Sequence, residues 1–131
     1  MIGLDTNVLV RAVVRDDPEQ TALAQARLQA LTLSNPGFVP HIVLVELWWV
    51  LTRAYGYSAA EALIPLKRLT ETSTIVIQDR DLVLQALIAV DDGADFADAL
   101  IVAVASAADC NVETFDKSAI VRAGMVPVAA S

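Results

Sequence analysis

Short apolar, β-like runs alternate along the chain with longer stretches of helical periodicity, the pattern of a parallel sheet covered by helices. Met1–Leu4 reads as a first strand, followed by a short helix over Thr6–Val14. Asp16-Asp17-Pro18 opens a second helix, with Pro18 suited to a first helical turn and acidic residues beside the positive helix end. That helix is expected to reach about Leu33, with Leu23, Ala26, Ala30 and Leu33 along one side. Asn35-Pro36-Gly37 is a turn, and Phe38-Val39 a short second strand. His41–Tyr55 is apolar on nearly every side and is therefore expected to be a buried helix, stopped by Gly56. Ser58 caps a helix to about Thr70, Thr74–Ile77 is a β-branched strand, and Asp79 or Asp81 starts a helix that reaches about Val90. A small-residue-rich helix over Asp95–Ala108, a strand at Asn111–Thr114, a short helix near Ser118–Arg122 and a strand at Val126–Val128 complete the order.

The length of 131 residues suits one domain, taken as residues 1–131, with room for a sizeable core. A hydrophobic fraction of 56% excludes intrinsic disorder. Mean hydropathy is +0.54, yet no uncharged stretch is an unbroken apolar run of the roughly 18 residues that a bilayer span requires. The longest, Leu28 to Val45, is broken by Asn35, Pro36, Gly37, Pro40 and His41. The N-terminus meets Asp5 and lacks a basic region, so it does not read as a signal peptide. Cys110, the single cysteine, can form neither an internal disulfide nor a zinc site, which suits a reducing cytoplasm. A net charge of −7 argues against a protein that binds nucleic acid by blanketing phosphates with Lys and Arg. It is compatible with a nuclease that works through a bound cation, because hard cations need carboxylates.

Of sixteen acidic residues, Asp16, Asp17, Glu19, Glu61, Glu71, Asp79 and Asp81 fall at helix starts or on solvated faces. Others, in four segments, suggest chemistry. Asp5 ends the strand Ile2-Gly3-Leu4, where open α/β sheets bind ligands, although Asp is also a good helix cap there. Glu46 lies inside Ile42-Val43-Leu44-Val45-Glu46-Leu47-Trp48-Trp49-Val50-Leu51, and a carboxylate in a buried helix is costly unless something pairs with it. Asp95 and Asp98 share one side of a first helical turn and repel each other unless a cation joins them, Asp95 being the better candidate for a cap. Asp116 follows the strand Asn111–Thr114, which, laid beside the first strand, would bring it near Asp5. Together these carboxylates are expected at one edge of one sheet. Oxygen-only clusters favour Mg²⁺ or Mn²⁺, and such an ion promotes hydrolysis of phosphate esters.

Ile2-Gly3-Leu4-Asp5-Thr6-Asn7-Val8-Leu9, Val43-Leu44-Val45-Glu46-Leu47, Ala94-Asp95-Phe96-Ala97-Asp98-Ala99-Leu100-Ile101 and Thr114-Phe115-Asp116 together resemble PIN-domain proteins, and more narrowly the VapC toxins of bacterial type II toxin–antitoxin pairs. The resemblance implies a three-layer α/β/α fold with a five-stranded parallel sheet in order 3-2-1-4-5. It implies Mg²⁺- or Mn²⁺-dependent endoribonuclease activity on RNA, a cognate VapB-type antitoxin and a homodimer. The family's acidic quartet falls on Asp5, Glu46, Asp98 and Asp116, with Asp5, Asp98 and Asp116 as metal ligands. Thr6, Asn7 and Thr114 match small polar supporting positions, and Asp95 matches a frequent extra carboxylate. His41 departs from the pattern, since a small hydroxyl residue is common before the Glu helix. The alternative is a PIN-fold module that binds RNA or protein, with a vestigial acidic cluster. Cys110 is expected to be a buried small hydrophobe. Of the adjacent Trp48 and Trp49, one is expected in the core and the other facing a partner. Arg11, Arg15, Arg53, Lys67 and Arg68 are expected on solvated faces.

Overall fold

A computed structural model describes residues 1–129. The chain forms two compact units, Met1–Gln78 and the segment from Asp79 onward. The first contains β1 (Ile2–Gly3), α1 (Thr6–Val14), α2 (Pro18–Gln29), β2 (Gly37–Val39), α3 (His41–Trp49), a π-helical turn (Val50–Ala54), α4 (Ala59–Glu71) and β3 (Ile75–Ile77). The second contains α5 (Arg80–Asp91), α6 (Phe96–Ala107), β4 (Glu113–Thr114), α7 (Lys117–Ala123) and β5 (Val126–Pro127).

In the first unit, β1, β2 and β3 form a parallel sheet in that order, with Ile2 opposite Gly37 and Gly37 opposite Ile75. Its core holds Leu9, Val39, Leu44, Leu47, Leu51 and Leu66, none more than 1% exposed. Burying each such side chain contributes about 1.5–3 kcal/mol. Gly37 has no room for a larger residue, because a Cβ there would stand 2.8 Å from Leu4 Cδ1 and 3.0 Å from Leu31 Cδ1. In the second unit α5 packs on α6 and α6 on α7, around Val83, Leu87, Phe96, Leu100 and Ala119. There β4 and β5 pair in parallel, Glu113 opposite Val126.

The expected single sheet in order 3-2-1-4-5 is replaced by these two separate sheets, of which the first keeps the 3-2-1 part. A strand in the middle of a parallel sheet is buried on both faces and reads as a continuous apolar run. Neither β1 nor β4 is built that way. Gly3 is exposed, Glu113 is exposed, and the Glu113 carboxylate accepts the Ala129 amide at 2.8 Å.

Helix starts follow local chemistry. Asp17 accepts the Gln20 amide, and Ser58 with Glu61 forms a reciprocal capping box. Gly56, at φ +70°, takes the left-handed conformation that ends the Val50–Ala54 turn. Two helices depart from expectation. Helix α2 stops at Gln29, and its buried side is Thr21 and Ala24, while Leu23 and Leu33 are exposed. The Thr21 hydroxyl donates to the Arg11 carbonyl at 2.9 Å, turning that side toward α1. Helix α3 is not buried all round, since Ile42 and Trp49 are exposed while Val43, Leu44, Leu47 and Trp48 are covered.

Candidate active site

Asp5 stands two residues after β1 and caps α1, its carboxylate accepting the Thr6 amide at 2.8 Å. The side chain is exposed, so capping leaves part of the carboxylate facing solvent. Beside it, the Thr6 hydroxyl is buried and has no hydrogen-bond partner among the described residues.

Glu46 corrects the sequence expectation. It lies on the exposed side of α3 with Ile42 and Trp49, in water and not in a core. No ion pair or side-chain hydrogen bond engages it among the described residues, and Arg53 lies over the Trp49 ring at 5.1 Å from its centroid. The apolar composition of α3 concealed this stripe. Exposure removes the burial argument for Glu46 while leaving its carboxylate free.

The start of α3 is held from a distance. Pro40 is its cap residue and offers no side-chain acceptor, so the His41 amide donates to Gln78 Oε1 at 2.9 Å. Gln78 thus replaces the hydroxyl cap that His41 and Pro40 cannot supply. Sequence reasoning missed this, because the two positions lie far apart in the chain. The His41 Nε2 atom is buried without a partner.

In the second unit the acidic residues act on one another. Asp95 caps α6 by accepting the Asp98 amide at 3.1 Å, as expected for the first of the pair. Asp116 follows β4 and caps α7, one oxygen accepting the Ser118 and Ala119 amides at 2.8 and 3.2 Å. Its own amide donates to Thr114 Oγ1 at 3.0 Å, so Thr114 braces the backbone at Asp116. Asp98 is half-buried, and its carboxyl is held above the usual aspartate range, first by desolvation, then by the Asp95 and Asp116 carboxylates.

The family model described as PIN domain matches residues 2–124, across both units. The chain belongs to the PIN domain family. No curated protein matches it. PIN domains are generally nucleases, and they commonly depend on divalent metal ions.

The donors of this PIN domain suit such an ion in kind. All are hard carboxylate oxygens, and Asp98 is raised first by desolvation and then by the negative charge of Asp95 and Asp116, a charge that a cation would offset. Mg²⁺ is commonly held by only one or two carboxylates, with water completing its shell. Among the described residues, no three His, Cys, Asp or Glu side chains form a ready ligand set. The structure brings Asp98 under the influence of Asp95 and Asp116; it places Asp116 after a strand that pairs with β5 and not with β1.

The remaining expectations divide. Trp48 is buried and Trp49 exposed, as adjacent helical positions require. Cys110 is exposed and not a buried hydrophobe, because it lies beyond the end of α6, where its thiol donates to the Ala105 carbonyl at 3.2 Å. Arg11 pairs with Asp16 at 3.1 Å, and Arg15 donates to the Gln25 side-chain oxygen at 3.2 and 3.3 Å. No helix among the described residues is long and apolar enough to cross a membrane.

Proposed function

We propose that this PIN domain is a metal-dependent endoribonuclease and the toxin of a type II toxin–antitoxin pair of the VapC kind. The observation that carries the reading is Asp98, whose half-buried carboxyl is raised first by desolvation and then by the Asp95 and Asp116 carboxylates, within a nuclease family. Asp5, Asp98 and Asp116 are assigned to holding Mg²⁺ or Mn²⁺, and Asp5, Glu46, Asp98 and Asp116 to catalysis. When bound, such an ion supplies Lewis acidity toward the phosphodiester and neutralises charge in the transition state. The chain's own residues do the rest. Asp116 is held rigid by the two α7 amides it accepts, and Asp98 by the first turn of α6. Glu46, without an internal partner among the described residues, is assigned to accepting a hydrogen bond from the attacking water and so orienting it.

The proposed partners are an RNA substrate, a second copy of the chain and a cognate VapB-type antitoxin. Support for the antitoxin comes from a groove of about 600 Å³ in the first unit, floored by Leu9, Val13, Ile64 and Leu69 and edged by Arg15 and Arg68. An amphipathic helix could lay its apolar side in such a groove.

The test is RNA cleavage by purified protein with Mg²⁺ or Mn²⁺, followed by sequencing of RNA ends after brief expression in cells. Cleavage should leave 5′-phosphate and 3′-hydroxyl ends, stop in EDTA, and fall at least a hundredfold in Asp98→Asn. Full activity in excess EDTA would defeat the metal mechanism. Binding of RNA without cleavage would favour a binding module with a vestigial cluster.

A further inference from the structure

Phe115 is 88% exposed, more than any other large apolar side chain described, whereas Phe96 is wholly buried and Phe38 half-buried. It contributes little to a core, yet it occupies a carefully fixed position. On one side is Thr114, whose hydroxyl accepts the Asp116 amide; on the other is Asp116, whose carboxylate accepts the Ser118 and Ala119 amides. Thr114 is also paired in register with Pro127. The backbone on both sides of the ring is therefore tied down, and a ligand meeting the ring need order only two side-chain torsions.

We propose that Phe115 is a platform on which a nucleobase of single-stranded RNA stacks, next to Asp116. The proposal rests on the ribonuclease reading above and adds a residue that positions the substrate. Charge argues for a base as the occupant. The exposed Asp116 carboxylate beside the ring makes this surface hostile to bare phosphates, so attraction has to come from an uncharged part of the nucleotide. The face of a base provides it, through dispersion and the burial of an otherwise wet ring. Exposed Lys117, the next residue but one, is available to the adjoining phosphate. A base within a duplex already has both faces covered by its neighbours, so the substrate segment must be a loop or an unpaired strand. Stacking accepts any base, so this contact sets strandedness and position more than sequence. Phe115 is thus a positioning residue: it holds the nucleotide and leaves the chemistry to the carboxylates.

The experiment compares wild type with Phe115→Ala, Phe115→Tyr and Phe115→Trp, using full-length protein. A fluorescein-labelled oligouridine, which forms no duplex, reports binding by anisotropy in EDTA, so the result is independent of cleavage. Phe115→Ala should weaken binding about tenfold, the size of one lost base–aromatic contact, while Phe115→Tyr and Phe115→Trp restore it. With Mg²⁺ or Mn²⁺ present, Phe115→Ala should raise KM by a similar factor and leave kcat within about twofold, unlike Asp98→Asn, which lowers kcat. Unchanged binding in Phe115→Ala, or no rescue by either aromatic variant, would overturn the proposal even if the wild type cleaves RNA. Wild type that binds the oligouridine through Phe115 but never cleaves would overturn the ribonuclease reading alone. A fall of several degrees in the melting temperature of Phe115→Ala would assign the ring to structure. Unchanged RNA binding with loss of self-association in light scattering would assign it to a protein interface; either result would refute the platform.

Discussion

At Asp98, partial burial and the nearby Asp95 and Asp116 carboxylates raise the pKa above 3.8, even though the first turn of α6 offers favourable amide dipoles to a negative charge. The direction of the shift shows that desolvation and repulsion prevail. Asp16 is the opposite case: the Tyr55 hydroxyl, donating at 2.9 Å, does most to lower its pKa, aided by Arg11. A raised carboxyl destabilises the fold fully once pH exceeds its folded value, and that penalty vanishes as pH falls back through it toward 3.8. A lowered carboxyl stabilises fully above 3.8, and the benefit is lost as pH falls through its depressed value. Asp98→Asn should therefore raise the melting temperature of metal-free protein at neutral pH, with the gain fading on acidification. Asp16→Asn should lower it at neutral pH. Calorimetric melts in EDTA from pH 3 to 7 check both signs, and a lower melting temperature for Asp98→Asn at pH 7 would make Asp98 a structural carboxylate.

Elements whose information is local were legible in the sequence. Asp5, Asp17, Ser58 with Glu61, Asp95 and Asp116 each cap the helix that follows, and in every case acceptor and amide lie within three residues of each other. What depended on a distant neighbour was not legible. The buried side of α2 is chosen by α1 through Thr21, against a leucine pattern that fits the other side equally well. Helix α3 is so uniformly apolar that its sequence could not reveal which stripe carries Glu46, and its first amide is satisfied by Gln78, beyond α4 and β3. Asp95, Asp98 and Asp116 were legible as unusual carboxylates, but the strand placement of Asp116 was not, because the pairing of β4 with β5 is a choice between partners. Gln78→Ala should remove the acceptor at the start of α3 and destabilise the protein by about 1 kcal/mol, the usual value of such a cap. Gln78→Glu, which keeps an oxygen in place, should lose less. Urea denaturation midpoints separate them, and equal midpoints for Gln78→Ala and wild type would deny the distant cap any role.

At the scale of the whole chain, the two sheets differ in how far apart their partners lie. The pairings of β1 with β2 and β2 with β3 join Ile2 to Gly37 and Gly37 to Ile75, whereas β4 and β5 enclose only α7 between Glu113 and Val126. Closing a longer loop carries a greater entropic cost, and contacts between distant residues slow folding. The order of refolding is therefore expected to run against the order of the sequence. The Val126 amide, bonded to the Val112 carbonyl at 2.9 Å, should become protected first in pulsed hydrogen exchange. The Leu4 and Gly37 amides, bonded to the Phe38 and Thr74 carbonyls at 2.9 Å, should follow. Earlier protection of Leu4 would reverse this order. Because Asp5 takes its place only when the strand before it has docked, a refolding chain would carry its aspartates 98 and 116 in finished helical turns while Asp5 was still waiting for its own.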